Sequence, residues 1–197
     1  MLNTSNAGGN VRVGSLKVDE GSEDGLAEME DLLRRAEVGR LALSDENKPY
    51  VIPVNFAYED KKIIFHCALR GKKLEILRKN PDCCFEVDQF MGEVSYHYDA
   101  LCHLDYDSVL AYGKARIETD EDCKLRFFSL LHSKYKEFYR KPTSEGGLQF
   151  TKSYPTFSVA HCVVIDVEEL TGRRERTLEY PDYEHARRSK KTWNIKL

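Results

Sequence analysis

Residues 49–88 read PYVIPVNFAYEDKKIIFHCALRGKKLEILRKNPDCCFEVD. Tyr50 to Tyr58 alternates like a half-buried strand, Glu59-Asp60-Lys61 is a turn, and Lys62 to Cys67 is a second run of β-prone residues. The period then changes. Lys72 to Asn80 carries a helical pattern stopped by Pro81, and Cys83 to Asp88 reads as a strand again. Two features are out of place. Pro53 cannot donate to a ladder, so its part of the strand is an edge, a bulge or a barrel split. Backbone groups from Val51 to Phe56 are then free to read the polar edge of a planar heterocycle, or the segment is an ordinary edge strand. Lys72 and Lys73 stand in the first helical turn, where the macrodipole disfavours cations by roughly 0.3–1 kcal/mol each. A phosphate would offset that, with free N–H groups pointing at it, Gly71 permitting close approach and Arg70, Lys72 and Lys73 supplying charge. The other reading is that the lysines are simply exposed and screened, and the residues alone leave the two level.

Working outward, Val38 to Ser44 reads as a strand that turns through Asp45-Glu46-Asn47-Lys48-Pro49 into Tyr50. Before it, Leu26, Met29, Leu32, Leu33 and Ala36 recur at helical spacing. Downstream, Gln89 to Asp107 is irregular and aromatic-rich, Ser108 to Glu118 is a long strand, and Asp120 to Tyr139 is a helix. That helix has a stripe of Leu125, Phe128, Leu131, Tyr135 and Phe138, which reads as core and not as a cofactor box. Ala160 to Val167 is a sixth strand, nearly continuous in apolar residues. The pattern predicts a mainly β fold, a small six-stranded antiparallel barrel with helices packed outside.

The 197 residues fit one domain, with 41% apolar and 32% charged residues. The Gly-rich, polar residues 1–25 are expected to be a flexible arm, 26–174 the domain, and 175–197 a charged extension. From Arg173 onward eight basic residues face four acidic ones, either as a solvated surface tail or as a contact for a partner or anionic ligand. The net charge of −3 gives no footprint for nucleic acid or an anionic membrane. With no long apolar run and no export signal, a cytoplasmic protein is expected. The six Cys (67, 83, 84, 102, 123 and 162) lack metal-site spacing and read as reduced, mostly buried thiols, with no metal site expected.

The run at 49–88, followed by CHLDYDSVLAYGKARIE at 102–118 and VVIDVEELTGRR at 163–174, resembles the FMN-binding split barrels of the pyridoxamine 5′-phosphate oxidase-like superfamily. Within it, the sequence is most similar to the nitroimidazole-resistance-protein group of flavoproteins, over roughly Leu26 to Arg174. The resemblance implies that Val51, Ile52, Pro53, Val54, Asn55 and Phe56 line the flavin ring, with Pro53 and Asn55 in the PxN pattern of the group. It implies that His66 and Cys67 lie beside the ribityl chain and ring, and that Lys72 and Lys73 bind the FMN phosphate, which decides between the two readings above. Ser108, in the YxSVxxxG run from Tyr106 to Gly113, matches a position that hydrogen-bonds the flavin. Such barrels hold the flavin between two subunits, so a homodimer is implied. Cys102, four residues before Tyr106 in a Cys-x3-Tyr spacing that fits the same group, is either a thiol near the flavin or a packed loop residue. Trp193 stands without the C-terminal Trp and Arg signature of true pyridoxamine phosphate oxidases, which argues against vitamin B6 oxidation.

The function implied is an FMN-dependent oxidoreductase (FAD being the other flavin to consider) that takes electrons from NAD(P)H or another donor. It would pass them to a small acceptor of nitroaromatic, nitroimidazole-like type. His66, with an ordinary pKa of about 6.5, is the general acid candidate, unless it only packs on the flavin. The alternatives are a non-catalytic flavin carrier or redox sensor and, more remotely, a haem-binding split barrel using His66, His97, His103 or His161 as axial ligand.

Overall fold

Hairpins set the register of the first strands. In this computed structural model, which describes residues 18–20, 23–95, 103–138, 151–153, 155–177 and 188–197, β1 (Val18–Glu20) and α1 (Glu23–Arg35) lead into β2 (Gly39–Asp45) and β3 (Lys48–Val54). β4 (Phe56–Glu59) then turns into β5 (Lys62–Ala68). Glu46, Asn47, Asp60 and Lys61 all have positive φ, between 49° and 71°. A two-residue type I′ hairpin needs that conformation at both central positions. α2 (Lys72–Lys79) follows, then the long strands β6 (Asp82–Ser95) and β7 (His103–Ile117). α3 (Glu121–Tyr135) begins at an Asp120 cap that accepts the Cys123 N–H, and runs into a 3-10 turn, Lys136–Phe138. α4 (Pro155–Val159), β8 (Ala160–Thr177) and β9 (Arg188–Lys196) complete the described chain.

β3 and β4 are one path broken at Asn55. Up to Val54 the path pairs with β2, and from Phe56 it pairs with β5. β5 pairs with the first half of β8, β8 with β7, β7 with β6 and β6 with β2, all antiparallel. The change of partner at Asn55 therefore closes a six-stranded split barrel. Pro53 belongs to the last strand of the continuous path, so its missing donor interrupts no ladder between two flanking strands.

The interior is filled by Leu41, Leu43, Phe56, Ile63, Phe65, Phe85, Val87, Val109, Val163 and Ile165, joined by Met29, Leu32 and Leu33 from α1 and Leu74, Ile76 and Leu77 from α2. A second cluster lies outside the barrel, where Phe127, Phe128 and Leu131 of α3 and Phe157 of α4 cover Ile64, Cys162 and Val164. The α3 stripe is thus core, as its spacing predicts, with Phe127 added and Phe138 left 61% exposed. Among the described residues no such layer covers the outer face of β3, β2, β6 and β7, where Val51 is 57%, Phe90 48% and Tyr112 40% exposed.

Three expectations are corrected. The stretch from Gln89 to Asp107 extends β6 to Ser95 and starts β7 at His103, with a register shift between Phe90 and Val94. β1 lies within the supposed arm, and α1 starts at Glu23 instead of Leu26. The charged extension is not a free tail: β8 continues to Thr177, β9 pairs with it from Thr177↔Arg188 to Glu169↔Lys196, and β1 pairs parallel to β9. Trp193 of β9 is buried and Ile195 packs against the same core, while Lys191, Asn194 and Lys196 are exposed, so the strand is anchored by few apolar side chains among charges. Lysines suit a sheet margin because they discourage further pairing. Among the described residues no helix is long and apolar enough to cross a membrane.

Truncating the Trp193 anchor tests whether β9 belongs to the folded unit. Trp193→Ala should lower the unfolding free energy by about 3–5 kcal/mol in urea denaturation, the usual cost of emptying an aromatic core site; an unchanged midpoint would return the segment to a surface tail.

Candidate functional site

The start of α2 is open. Gly71 caps it with φ 143° and ψ 166°, with no side-chain cap, and a Cβ placed on Gly71 would meet nothing within 4 Å. Leu74 and Glu75 donate to the Gly71 carbonyl at 3.0 and 3.2 Å, so the amides of Lys72 and Lys73, at the first two helical positions, have no intrahelical acceptor. Those two N–H groups, the dipole and two ammonium groups share one solvent-facing corner, a donor set that suits a phosphate.

Two charges tune that corner. The Lys72 ammonium donates to Asp45 at 2.6 Å, with Lys79 at 3.8 Å from the same carboxylate. The hydrogen bond with Lys72 holds the Asp45 carboxyl below the usual range and raises Lys72. Lys73 has no ion pair among the described residues, and its charge reaches His66 and Cys67. Burial first, then Lys73, lowers the basicity of His66, which keeps one side open and meets the Phe128 ring edge-on at 6.2 Å.

The flavin-lining candidates divide by face. Val51, Pro53 and Asn55 point outward and are exposed; Ile52 is partly covered, and Val54 and Phe56 are buried. Cys67 is turned into the barrel interior, 6% exposed, and burial pushes its thiol up. Inside and outside alternate along β5, so His66 faces out and the Cys67 side chain faces in, and a ligand beside this strand would meet Cys67 through its backbone. Ser108 shares the outer face with Pro53, but β2 and β6 lie between them, about 14 Å at the usual strand spacing. Along β8 it pairs with Arg173, whereas His66 pairs with Cys162, eleven residues away. One chain therefore does not bring Ser108 to the α2 corner. Cys102 and His97 lie outside the described residues.

Beside β3 opens a cleft of about 470 Å³, lined by Leu32, Arg35, Ala36, Glu37, Val38, Arg40, Asp88 and Gln89. Arg40 pairs with Pro53 in the β2–β3 ladder, and its guanidinium holds Glu86 at 2.7 Å and Asp88. Burial raises the Glu86 carboxyl, opposed by that guanidinium. Three further residues mark the site without standing out in the sequence. Asp45 and Arg40 sit in ordinary strand positions, and Tyr135 is one member of an apolar helix stripe. The Tyr135 hydroxyl accepts the Phe56 N–H at 2.9 Å and reaches the carbonyls of Glu37 (2.5 Å) and Phe56 (3.0 Å).

A family model described as pyridoxamine 5′-phosphate oxidase matches residues 26–174. An uncharacterized protein of Rhizobium meliloti is 21% identical over 152 residues, 74% of this chain and 89% of that protein. Among solved structures, a candidate 5-nitroimidazole antibiotic resistance protein from Bacteroides thetaiotaomicron superposes with a TM-score of 0.59 at 21% identity, over 74% of this chain and 81% of its own. An FAD-binding protein from Mesorhizobium loti gives 0.54 at 23% identity, covering 74% and 91%. An FAD and heme binding protein from Mycobacterium smegmatis gives 0.62 at 15% identity, covering 86% and 82%. These structures share the barrel fold.

The coupling of Lys73 to His66 has a titration consequence. A histidine whose folded basicity is lowered takes its proton more readily when unfolded, so its contribution to stability is complete above its ordinary value of about 6.5 and is lost as the pH falls through and below it. In an NMR titration His66 should titrate below that value and move up in Lys73→Gln; an unmoved midpoint would mean that Lys73 does not face it.

Proposed function

The chain belongs to the pyridoxamine 5′-phosphate oxidase family, and from that premise we propose that it is a flavoprotein that binds FMN and transfers electrons to a small, nitroaromatic acceptor. The observation that carries the reading is the uncapped start of α2, with open space at Gly71 and cations at Lys72 and Lys73 where the helix dipole would otherwise repel them. When bound, the flavin supplies hydride and single-electron transfer; the protein supplies anchoring, orientation and access. Lys72, Lys73 and their amides hold the phosphate. The path Val51–Asn55 offers its outward backbone groups and side chains to the ring.

His66 enters this reading changed. With its basicity lowered it is neutral at pH 7, so it serves the flavin as a hydrogen-bonding imidazole, and an anion in the corner, by offsetting Lys73, returns it toward a proton donor. The cleft at Val38 and Arg40 is the place beside β3 where a small acceptor or the nicotinamide of NAD(P)H fits. The separation of Ser108 from the α2 corner supports a homodimer, since a second copy would bring its own Ser108 to this chain's corner. The partly apolar face on which Val51, Phe90 and Tyr112 are exposed among the described residues supports the same assembly.

The test is to purify the chain, denature it and identify the released chromophore, then repeat with variants. FMN is expected, and FAD would correct the cofactor. Lys72→Ala with Lys73→Ala should weaken FMN binding on the order of a hundredfold, since two charge-assisted contacts are lost. Asp45→Asn, which releases Lys72, should tighten it by up to about fivefold at low salt, within the range of an exposed ion pair. Full flavin occupancy in the double lysine variant contradicts the phosphate assignment. Bound flavin with no turnover of NAD(P)H and a nitroimidazole would make the protein a flavin carrier or sensor instead of a reductase.

A further inference from the structure

We propose that Tyr135 is a positioning residue, whose hydroxyl fixes the Asn55 break and thereby the angle at which β3 presents Pro53 and Asn55 to the flavin. This rests on the flavin reading above.

The geometry converges on one oxygen. The Phe56 N–H donates to it at 2.9 Å, and its own proton is shared between the Glu37 carbonyl at 2.5 Å and the Phe56 carbonyl at 3.0 Å. A backbone path that changes partner leaves amide and carbonyl groups without a ladder, and these must find acceptors and donors elsewhere. At Phe56 one hydroxyl supplies both. The same hydroxyl reaches Glu37, on the rim of the 470 Å³ cleft, so it ties the strand expected to line the ring to the entry route beside it.

The rest of the α3 end reinforces this grip. The Lys134 ammonium lies 3.9 Å over the Phe56 ring, so consecutive residues hold Phe56 by its backbone and its face. Lys134 Nζ is buried without a hydrogen-bond partner among the described residues, and burial pulls its pKa down to about 8. Burial likewise raises the Tyr135 phenol above its ordinary range, so at neutral pH the hydroxyl keeps its proton and can donate. The Tyr58 phenol, on the same strand path, is engaged elsewhere: it donates to Glu30, on α1.

Tyr135→Phe removes only the oxygen. The holoprotein should then bind FMN about tenfold more weakly, the scale of one or two hydrogen bonds, and the visible circular dichroism of the retained flavin should change. The Phe56 amide should exchange faster with deuterium. Loss of thermal stability with native FMN affinity and an unchanged flavin spectrum would reduce Tyr135 to a packing residue and overturn the proposal. If the native chain itself takes up no flavin, the flavin reading fails, and this proposal with it. Should Tyr135→Phe not fold, 3-fluorotyrosine at position 135 keeps ring and hydrogen bonds while acidifying the phenol; the absorption of bound flavin should then follow its titration, and a pH-independent spectrum overturns the proposal.

Discussion

A β-strand can satisfy its backbone only along its two edges, and this split barrel closes where one strand path leaves one neighbour for another. Here that demand falls on the path from Lys48 to Glu59, which pairs with β2 until Val54 and with β5 from Phe56. Everything placed around the candidate site depends on this exchange. It puts Pro53 where no second ladder needs its donor, turns Val51, Pro53 and Asn55 outward, and packs Val54 and Phe56 into the core. It also brings the end of β5, and with it His66 and α2, back toward the start of β3, where Lys72 meets Asp45. The closed interior and the opened outer face are two results of one break.

The electrostatics of the α2 corner follow from the same arrangement. A glycine cap without a side-chain oxygen leaves amides uncovered, and two lysines at that end oppose the dipole. Lys72 finds a carboxylate, whereas Lys73 acts on His66. An anion seated there would compete with Asp45 for Lys72 and relieve His66 at the same time. Binding at the corner and the protonation of His66 are therefore linked.

The order of strands and helices was largely legible in the sequence, because hydrophobic period and turn chemistry are local signals. The positive-φ hairpins fall where the polar doublets stand, and α2 ends at Asn80 just before Pro81. The partner exchange at Asn55 was visible only as an oddly placed proline. What stayed hidden depends on contacts between distant segments. Nothing in the sequence around Tyr135 distinguishes its hydroxyl from a stripe of apolar neighbours, and its three backbone contacts come from residues at least 79 positions away. β9 does not show in the sequence because Trp193 and Ile195 are too few to mark a strand among charges, yet these two side chains pack that strand against the core. Cys67 was placed beside the flavin by likeness, and alternation along β5 turns its side chain inward.

The central claim is that the α2 corner binds the phosphate of a flavin, and phosphate is what separates FMN from riboflavin. Titrating flavin-free protein with each, by flavin fluorescence at low salt, measures that contribution directly. The account predicts that FMN binds tighter than riboflavin on the order of a hundredfold, with the gap shrinking as salt is added. Equal affinity for the two would show that no phosphate is held there and would contradict the account.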